Sequence, residues 1–458
     1  MTALWCERVL VDGVVESGVR FESDATGRIT ARESGVVPGA GDATVGFVVP
    51  GFANAHSHLF HRLLRGRTHD DGGDFWAWRE RMYEAAASLD PDRYRRLAIA
   101  VFGEMLAAGY TAVGEFHYLH HQPGGQPYDD HAMELALAEA ATTVGIRLTL
   151  LDTCYLAGGI GQPLSPRQQR FGDGDAASWL ERWHALRARL AERGDPLVTL
   201  GAAIHSVRAV PPAAIVEIVA GLPAGVPLHL HLSEQPQENA DSEAAYGLTP
   251  TALVASLGML GERLSVVHAT HLTEHDIRLL GDAGVTVVMC PTTEADLGDG
   301  IGPARELANA GAPIALGSDQ NAVIDPLLEL RGLEAGERLA SGQRARFTPT
   351  ELLHAATTAG YRSLGLGSAR LAIGDPLDLV ELDPASVRTS GARPQQIGLV
   401  ATAADVRSVW VAGRRAASQE SGGIVTISGL SSVVELLSEV LTDGTKASNG
   451  VEAAAPDA

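Results

Sequence analysis

Phe47-Val48-Val49-Pro50-Gly51-Phe52-Ala53-Asn54-Ala55-His56-Ser57-His58 is an apolar run that ends in two histidines. Side chains at i and i+2 leave a strand on the same face, so His56 and His58 present two imidazoles together at a strand end. Two such rings are half of a metal site. A lone His-x-His is more often exposed or hydrogen-bonded than ligating, so the reading depends on what the other apolar runs end in. Leu228-His229-Leu230-His231-Leu232-Ser233-Glu234, Leu264-Ser265-Val266-Val267-His268 and Pro313-Ile314-Ala315-Leu316-Gly317-Ser318-Asp319 each close on a ligand or an acid/base group.

The intervening chain alternates strand and helix. Strands are expected near 47–54, 111–118, 147–155, 198–205, 227–233, 264–269, 285–290 and 313–318. Helices are expected at Met133–Thr143, Ala176–Glu192, Pro212–Ala220, Pro250–Leu257, Glu274–Ala283, Pro303–Ala310 and Pro326–Leu339. Eight such repeats suit an α/β fold, a (β/α)₈ barrel over 49–365, better than an open sheet. Short strands with Gly and Asp turns occupy 1–48, including a hairpin about Asp12-Gly13, and recur over 366–427. The two termini are expected to build one small flanking β-sandwich. Residues 428–445 are expected to form a helix, and the small, polar stretch Ala447–Ala458 a disordered tail.

With 458 residues, 45% hydrophobic and 20% charged, the chain has the composition of a globular protein with a large core. Its formal net charge of −21 speaks against a nucleic-acid or anionic-membrane surface, though local arginines can still hold a small anion. No apolar stretch reaches the roughly 18 residues of a membrane span. Cys6, Cys154 and Cys290 are too scattered for a disulfide framework, and Met1–Arg8 carries no signal-peptide pattern. A reducing, cytoplasmic location is expected. A homodimer is an option, because apolar helices around such barrels often pair.

In a parallel barrel the chemistry lies at the carboxyl ends of the strands. His56 and His58 would close strand 1, His231 and Glu234 strand 5, His268 strand 6 and Asp319 strand 8. Three imidazoles and a carboxylate (His56, His58, His231, Asp319) suit one divalent ion, with zinc expected and iron also compatible. Such an ion acidifies water towards neutral pH. Glu234 and His268 remain to move protons, with Asp319 as a further acceptor. Of the alternating His229 and His231, the latter lies nearer the strand end. Taken singly, Glu234 is a loop carboxylate and Asp319 a helix cap; together with the histidines they make a hydrolytic centre.

These residues resemble the amidohydrolase superfamily, which implies the barrel and its flanking β domain. Phe75–Glu80, Glu115–His121, His205–Val210 and Pro291–Gly300 are similar to the N-formimidoylglutamate deiminase family of histidine degradation. That resemblance implies hydrolysis of a dicarboxylate amidine, N-formimidoyl-L-glutamate, to the N-formyl compound and ammonia. It implies zinc on His56, His58, His231 and Asp319, and a proton shuttle at Glu234 assisted by His268. It puts the substrate on His61, Arg79, Tyr118, His205 and Arg208. Many members carry a glutamine where His61 stands, and Ser-Asp-Ser-His in place of Ser318-Asp319-Gln320-Asn321. Guanidinium forks suit two carboxylates, although Arg79 alone would read as a surface-helix residue pairing with Glu80 or Glu84. The alternatives are another mononuclear-zinc aminohydrolase, acting on a nucleobase, nucleoside or triazine-like ring, and a metal-free scaffold that has kept the fold.

Overall fold

The computed structural model describes residues 2–68, 75–419 and 425–427, together with 435, 436, 438 and 440. Two eight-stranded sheets dominate it. The first joins both ends of the chain: β1 (Thr2–Val11), β2 (Val14–Ser23), β3 (Ile29–Glu33) and β4 (Ala43–Pro50) with β13 (Leu379–Leu382), β14 (Val406–Val411), β15 (Arg414–Gln419) and β16 (Val425–Ile427). β1 and β2 form the hairpin read at Asp12-Gly13, whose positive φ values of 49° and 77° suit a tight, primed turn. The strands run as one continuous mixed sheet in the order β16-β15-β14-β13-β4-β1-β2-β3. Leu4, Cys6, Val19, Phe21, Val48, Leu377 and Leu379 give this sheet its own apolar core.

The second sheet is the barrel: β5 (Phe52–Ser57), β6 (Tyr110–His117), β7 (Arg147–Cys154), β8 (Val198–Ile204), β9 (Leu228–Leu232), β10 (Leu264–His268), β11 (Thr286–Met289) and β12 (Ile314–Leu316). Each strand pairs in parallel with the next. Every residue of β6 and β7 is buried, as befits strands covered by helices outside and side chains within. The seam closes just beyond β12, through a parallel bridge between Ser57 and Asp319. Asp319 N–H donates to His56 O (3.0 Å) and His58 N–H to Asp319 O (2.8 Å). Barrel closure thus sets the strand-1 histidines beside the strand-8 aspartate.

The single strand expected over 47–54 is two strands in two sheets. β4 pairs with β1 and β13, whereas β5 pairs with β6. The break falls at Gly51, where a Cβ would lie 2.1 Å from Thr111 Oγ1, so only glycine lets the chain pass that close to β6. A helix at Pro91–Ala108, absent from the expected set, covers β6. Asp90 caps it by accepting from Arg93 N–H (2.8 Å), Pro91 opens it, and Gly109 ends it at φ 105°. The expected C-terminal helix and tail fall largely outside the described residues. Val440 is buried, and its carbonyl accepts from Arg93 Nη2 at 3.0 Å. Among the described residues no helix is long and apolar enough to cross a membrane.

Candidate active site

At the carboxyl end of the barrel, His58, His61, Arg79, Tyr118, His205, Arg208, His231, Glu234, His268 and Asp319 line one pocket. His56 is fully buried beside them. All the residues singled out from the sequence therefore meet in one place. Several sit where the strand turns sharply into its loop: His268 (φ 69°) and Asp319 (φ 41°) are non-glycine residues in the left-handed region. Backbone strain of this kind collects at functional sites.

Four donor atoms converge. His231 Nε2 lies 3.1 Å from His56 Nε2 and 3.2 Å from His58 Nε2. Asp319 Oδ1 lies 3.4 and 3.5 Å from the Nε2 atoms of His56 and His58. His58 Nδ1 faces the Phe116 carbonyl (3.0 Å) and His231 Nδ1 the His205 carbonyl (2.9 Å). A carbonyl only accepts, so both Nδ1 atoms carry the proton and both Nε2 lone pairs are bare. Burial keeps the rings neutral, pulling His58 down to about 3 and His231 well below the usual histidine range. Bare lone pairs facing each other at this range repel unless a cation lies between them. Corners of a tetrahedron with bonds of about 2.0–2.1 Å are about 3.4 Å apart, which these separations match. The donor set fits a single divalent ion.

His268 stands apart from the ligands but within reach of their chemistry. Its Nε2 is 3.7 Å from Asp319 Oδ2 and 4.0 Å from Glu234 Oε1, while Nδ1 is 3.4 Å from Glu294 Oε1. Burial disfavours its charged form, but the bond to Glu294 and the charges of Glu234 and Asp319 outweigh burial and push it up to about 10. His61 Nε2 pairs with Tyr118 Oη at 3.0 Å. Burial holds His61 and His205 well below the usual range, so both serve as neutral hydrogen-bonding groups. Positive charge on the pocket wall therefore comes from the His268 imidazolium, from Arg79, which lies over the Tyr83 ring (5.8 Å), and from Arg208.

The sequence reading missed part of the wall. Trp78, Met82, Tyr83, Tyr155, Phe171 and Leu297 also line the pocket. Trp78 donates to Gln320 Oε1 (3.1 Å), whose amide donates to Asp296 (2.6 Å). Asn321 lies behind the ligands instead of in the pocket, bonding Ser57 Oγ and the His58 carbonyl, each at 3.1 Å. Within this departure Asn321 thus braces the barrel seam, and Gln320 holds the pocket residue Trp78. Outside the barrel wall a second polar cluster was also missed. Arg182 pairs with Asp152 (2.8 and 2.9 Å), Asp173 (2.7 Å) and Glu134 (3.2 Å). His120 places Nδ1 on Glu134 and Nε2 on the Thr153 carbonyl, both at 2.8 Å. Two acceptors demand two protons, so His120 is an imidazolium and no ligand.

The chain belongs to the amidohydrolase family, whose pattern it matches over residues 47–416. Members of this family bind a metal, in keeping with the four converging donors. It is 37% identical over 395 residues to the formimidoylglutamate deiminase of Pseudomonas aeruginosa, covering 84% of this chain and 86% of that protein. It is 32% identical to the 8-oxoguanine deaminase of the same organism, over 80% of each chain. Among solved structures, an amidohydrolase from Brucella melitensis superposes with a TM-score of 0.88 at 32% identity, over 97% of this chain and all of that one.

Proposed function

We propose that the protein hydrolyses N-formimidoyl-L-glutamate to N-formyl-L-glutamate and ammonia, with zinc held by His56, His58, His231 and Asp319. The observation that carries this reading is the pairing of that donor set with two guanidinium groups, Arg79 and Arg208, in one pocket. A dicarboxylate needs two such partners, and neutral His61 and His205 add directional hydrogen bonds without charge. The 37% identity to a formimidoylglutamate deiminase supports the same substrate.

A bound divalent ion would acidify water and so make a nucleophile available near neutral pH. The protein's own groups do the rest. Arg208, His205, Tyr118 and Arg79 hold the carboxylates and fix the amidine carbon over the donor cluster. Trp78, Phe171 and Tyr155 give the same pocket apolar walls that displace water. Water adds to the amidine carbon as its proton passes to Glu234 or Asp319, with the His268 imidazolium beside both carboxylates. Glu234 then delivers a proton to the terminal nitrogen, the C–N bond breaks, and ammonia leaves the formyl product behind.

The aromatic wall and the 8-oxoguanine deaminase relative favour one other reading, a ring-directed aminohydrolase. Ammonia release by zinc-loaded protein separates the two. N-formimidoyl-L-glutamate is to be compared with N-formimidoyl-L-aspartate, guanine and adenosine. Strong preference for the glutamate compound is expected; turnover of a ring substrate alone would reject the proposal.

A further inference from the structure

Arg208 is engaged by two acids before any substrate arrives. Its Nη2 donates to Glu234 Oε2 at 3.2 Å, and its Nε lies 3.5 Å from Glu238 Oε2. Glu238, only 1% exposed in the first turn of the helix Pro236–Tyr246, also accepts the Glu234 backbone N–H at 3.3 Å. Its other oxygen, Oε1, and Arg208 Nε are buried without hydrogen bonds. The proposed function adds a further claim on the guanidinium, the substrate carboxylate nearest the amidine. That group reaches Arg208 because it lies a few bonds from the nitrogen that Glu234 must protonate.

We infer that Arg208 exchanges partners during turnover, releasing Glu234 to its proton-transfer role as it takes the substrate's carboxylate, while Glu238 anchors the guanidinium throughout. The inference rests on the proposed substrate class and adds a coupling to it. The Glu234 oxygen that accepts from Arg208 at 3.2 Å is occupied by that donor and is not free to take a proton in the same direction. A ligand that supplies its own carboxylate frees it. The anion is therefore read as part of the catalytic step, and binding energy from a non-reacting group appears in kcat as well as KM. Glu238 is a positioning residue. It touches Arg208 and the Glu234 backbone and is not among the residues that line the pocket.

The test uses the zinc-loaded full chain and substrates trimmed of one carboxylate. N-formimidoyl-4-aminobutyrate lacks the carboxylate nearest the amidine, and its saturating kcat should fall at least about tenfold below that of N-formimidoyl-L-glutamate. Added acetate should restore part of it. A kcat equal to that of the full substrate, with only KM raised, would overturn the exchange. Calorimetry gives a second readout. Glu234→Gln should bind N-formyl-L-glutamate about tenfold more tightly than the parent does, because the competing carboxylate is gone, with N-formyl-4-aminobutyrate unaffected. No tightening, or equal tightening of both ligands, would equally overturn it. Glu238→Gln should lower kcat/KM for the full substrate more than for the trimmed one; equal loss on both would reduce Glu238 to a packing residue. Failure of the proposed function itself looks different. The parent would then release no ammonia from N-formimidoyl-L-glutamate, and the exchange would fall with it.

Discussion

Replacing Arg182 by methionine should cost the protein stability and loosen substrate binding together. Arg182 is 13% exposed and faces three carboxylates, Glu134, Asp152 and Asp173, none more than 6% exposed. His120 is the other cation bonded within the group. Methionine fills similar volume, so the loss is chiefly electrostatic: four charge-assisted bonds vanish and three buried carboxylates keep one fixed cation. Breaking a buried pair from one side costs about 3–5 kcal/mol, which in a domain of this size lowers Tm by about 3–6 °C. The same cluster ties down the loop after β6, which carries Tyr118 and His120, and the segment at Phe171, so KM should rise more than kcat falls. The pH dependence has a definite sign. Burial alone would raise Glu134 and Asp173, but the bonds of Glu134 to His117 and His120, that of Asp173 to His121, and Arg182 hold both below the usual carboxylate range. A depressed carboxylate stabilises above its unfolded pKa, near 4, and that contribution is lost as pH falls further. The deficit of Arg182→Met should therefore hold from pH 7 to about pH 4 and shrink as pH falls from there towards about pH 2. Circular-dichroism melting of parent, Arg182→Met and Arg182→Lys across that range is the assay. Lysine should recover part of the loss, because it restores charge without the fork. A Tm within 2 °C of the parent at pH 7, or a deficit that grows in acid, would refute the account.

Three further outcomes follow from the structure. His231→Ala should retain no stoichiometric zinc by elemental analysis, and chelation of the parent should abolish ammonia release until zinc is returned; an active, metal-free His231→Ala would sink the ligand assignment. Gly51→Ala should destabilise by about 1–3 kcal/mol, because Thr111 Oγ1 is fixed by the Phe52 carbonyl (3.0 Å) and Tyr361 Oη (2.7 Å) and cannot swing aside; Thr111→Ala in the same chain should recover part of that loss in urea titrations. Glu329 is pushed up to about 8, by burial first and by Glu294 and Asp325 in addition, against two bonds from Thr292. An acid raised on folding costs stability as pH climbs from about 4.3 through 8, up to about 5 kcal/mol, so Glu329→Gln should flatten the fall in stability between pH 5 and pH 9. Parallel pH profiles for parent and variant would exclude that role.

What the sequence made legible, and what it hid, divides along a physical line. His56, His58, His231, His268 and Asp319 stand out because each closes an apolar run, and a parallel barrel gathers such ends on one face whatever the loops do. That inference needs only local order and one topological rule. Gly51 breaks the rule's simplest form. The apolar run 47–54 carries Pro50-Gly51 at its middle, an ordinary break signal, and the approach of Thr111, distant in sequence, is what requires glycine where the strand changes sheets. The helix Pro91–Ala108 had ordinary local signals in Asp90-Pro91 and Gly109, so its omission from the expected set was avoidable. The Arg182 cluster was not. Its members come from two strands, two helices and two loops, and nothing in their spacing marks them as neighbours. Glu238 shows the same limit within the site. In sequence it is a helix-opening acid four residues after Glu234, the usual place for a carboxylate favoured by the helix dipole. Only packing turns it inward, to 1% exposure against Arg208, and makes it part of the machinery that decides when Glu234 is free to act.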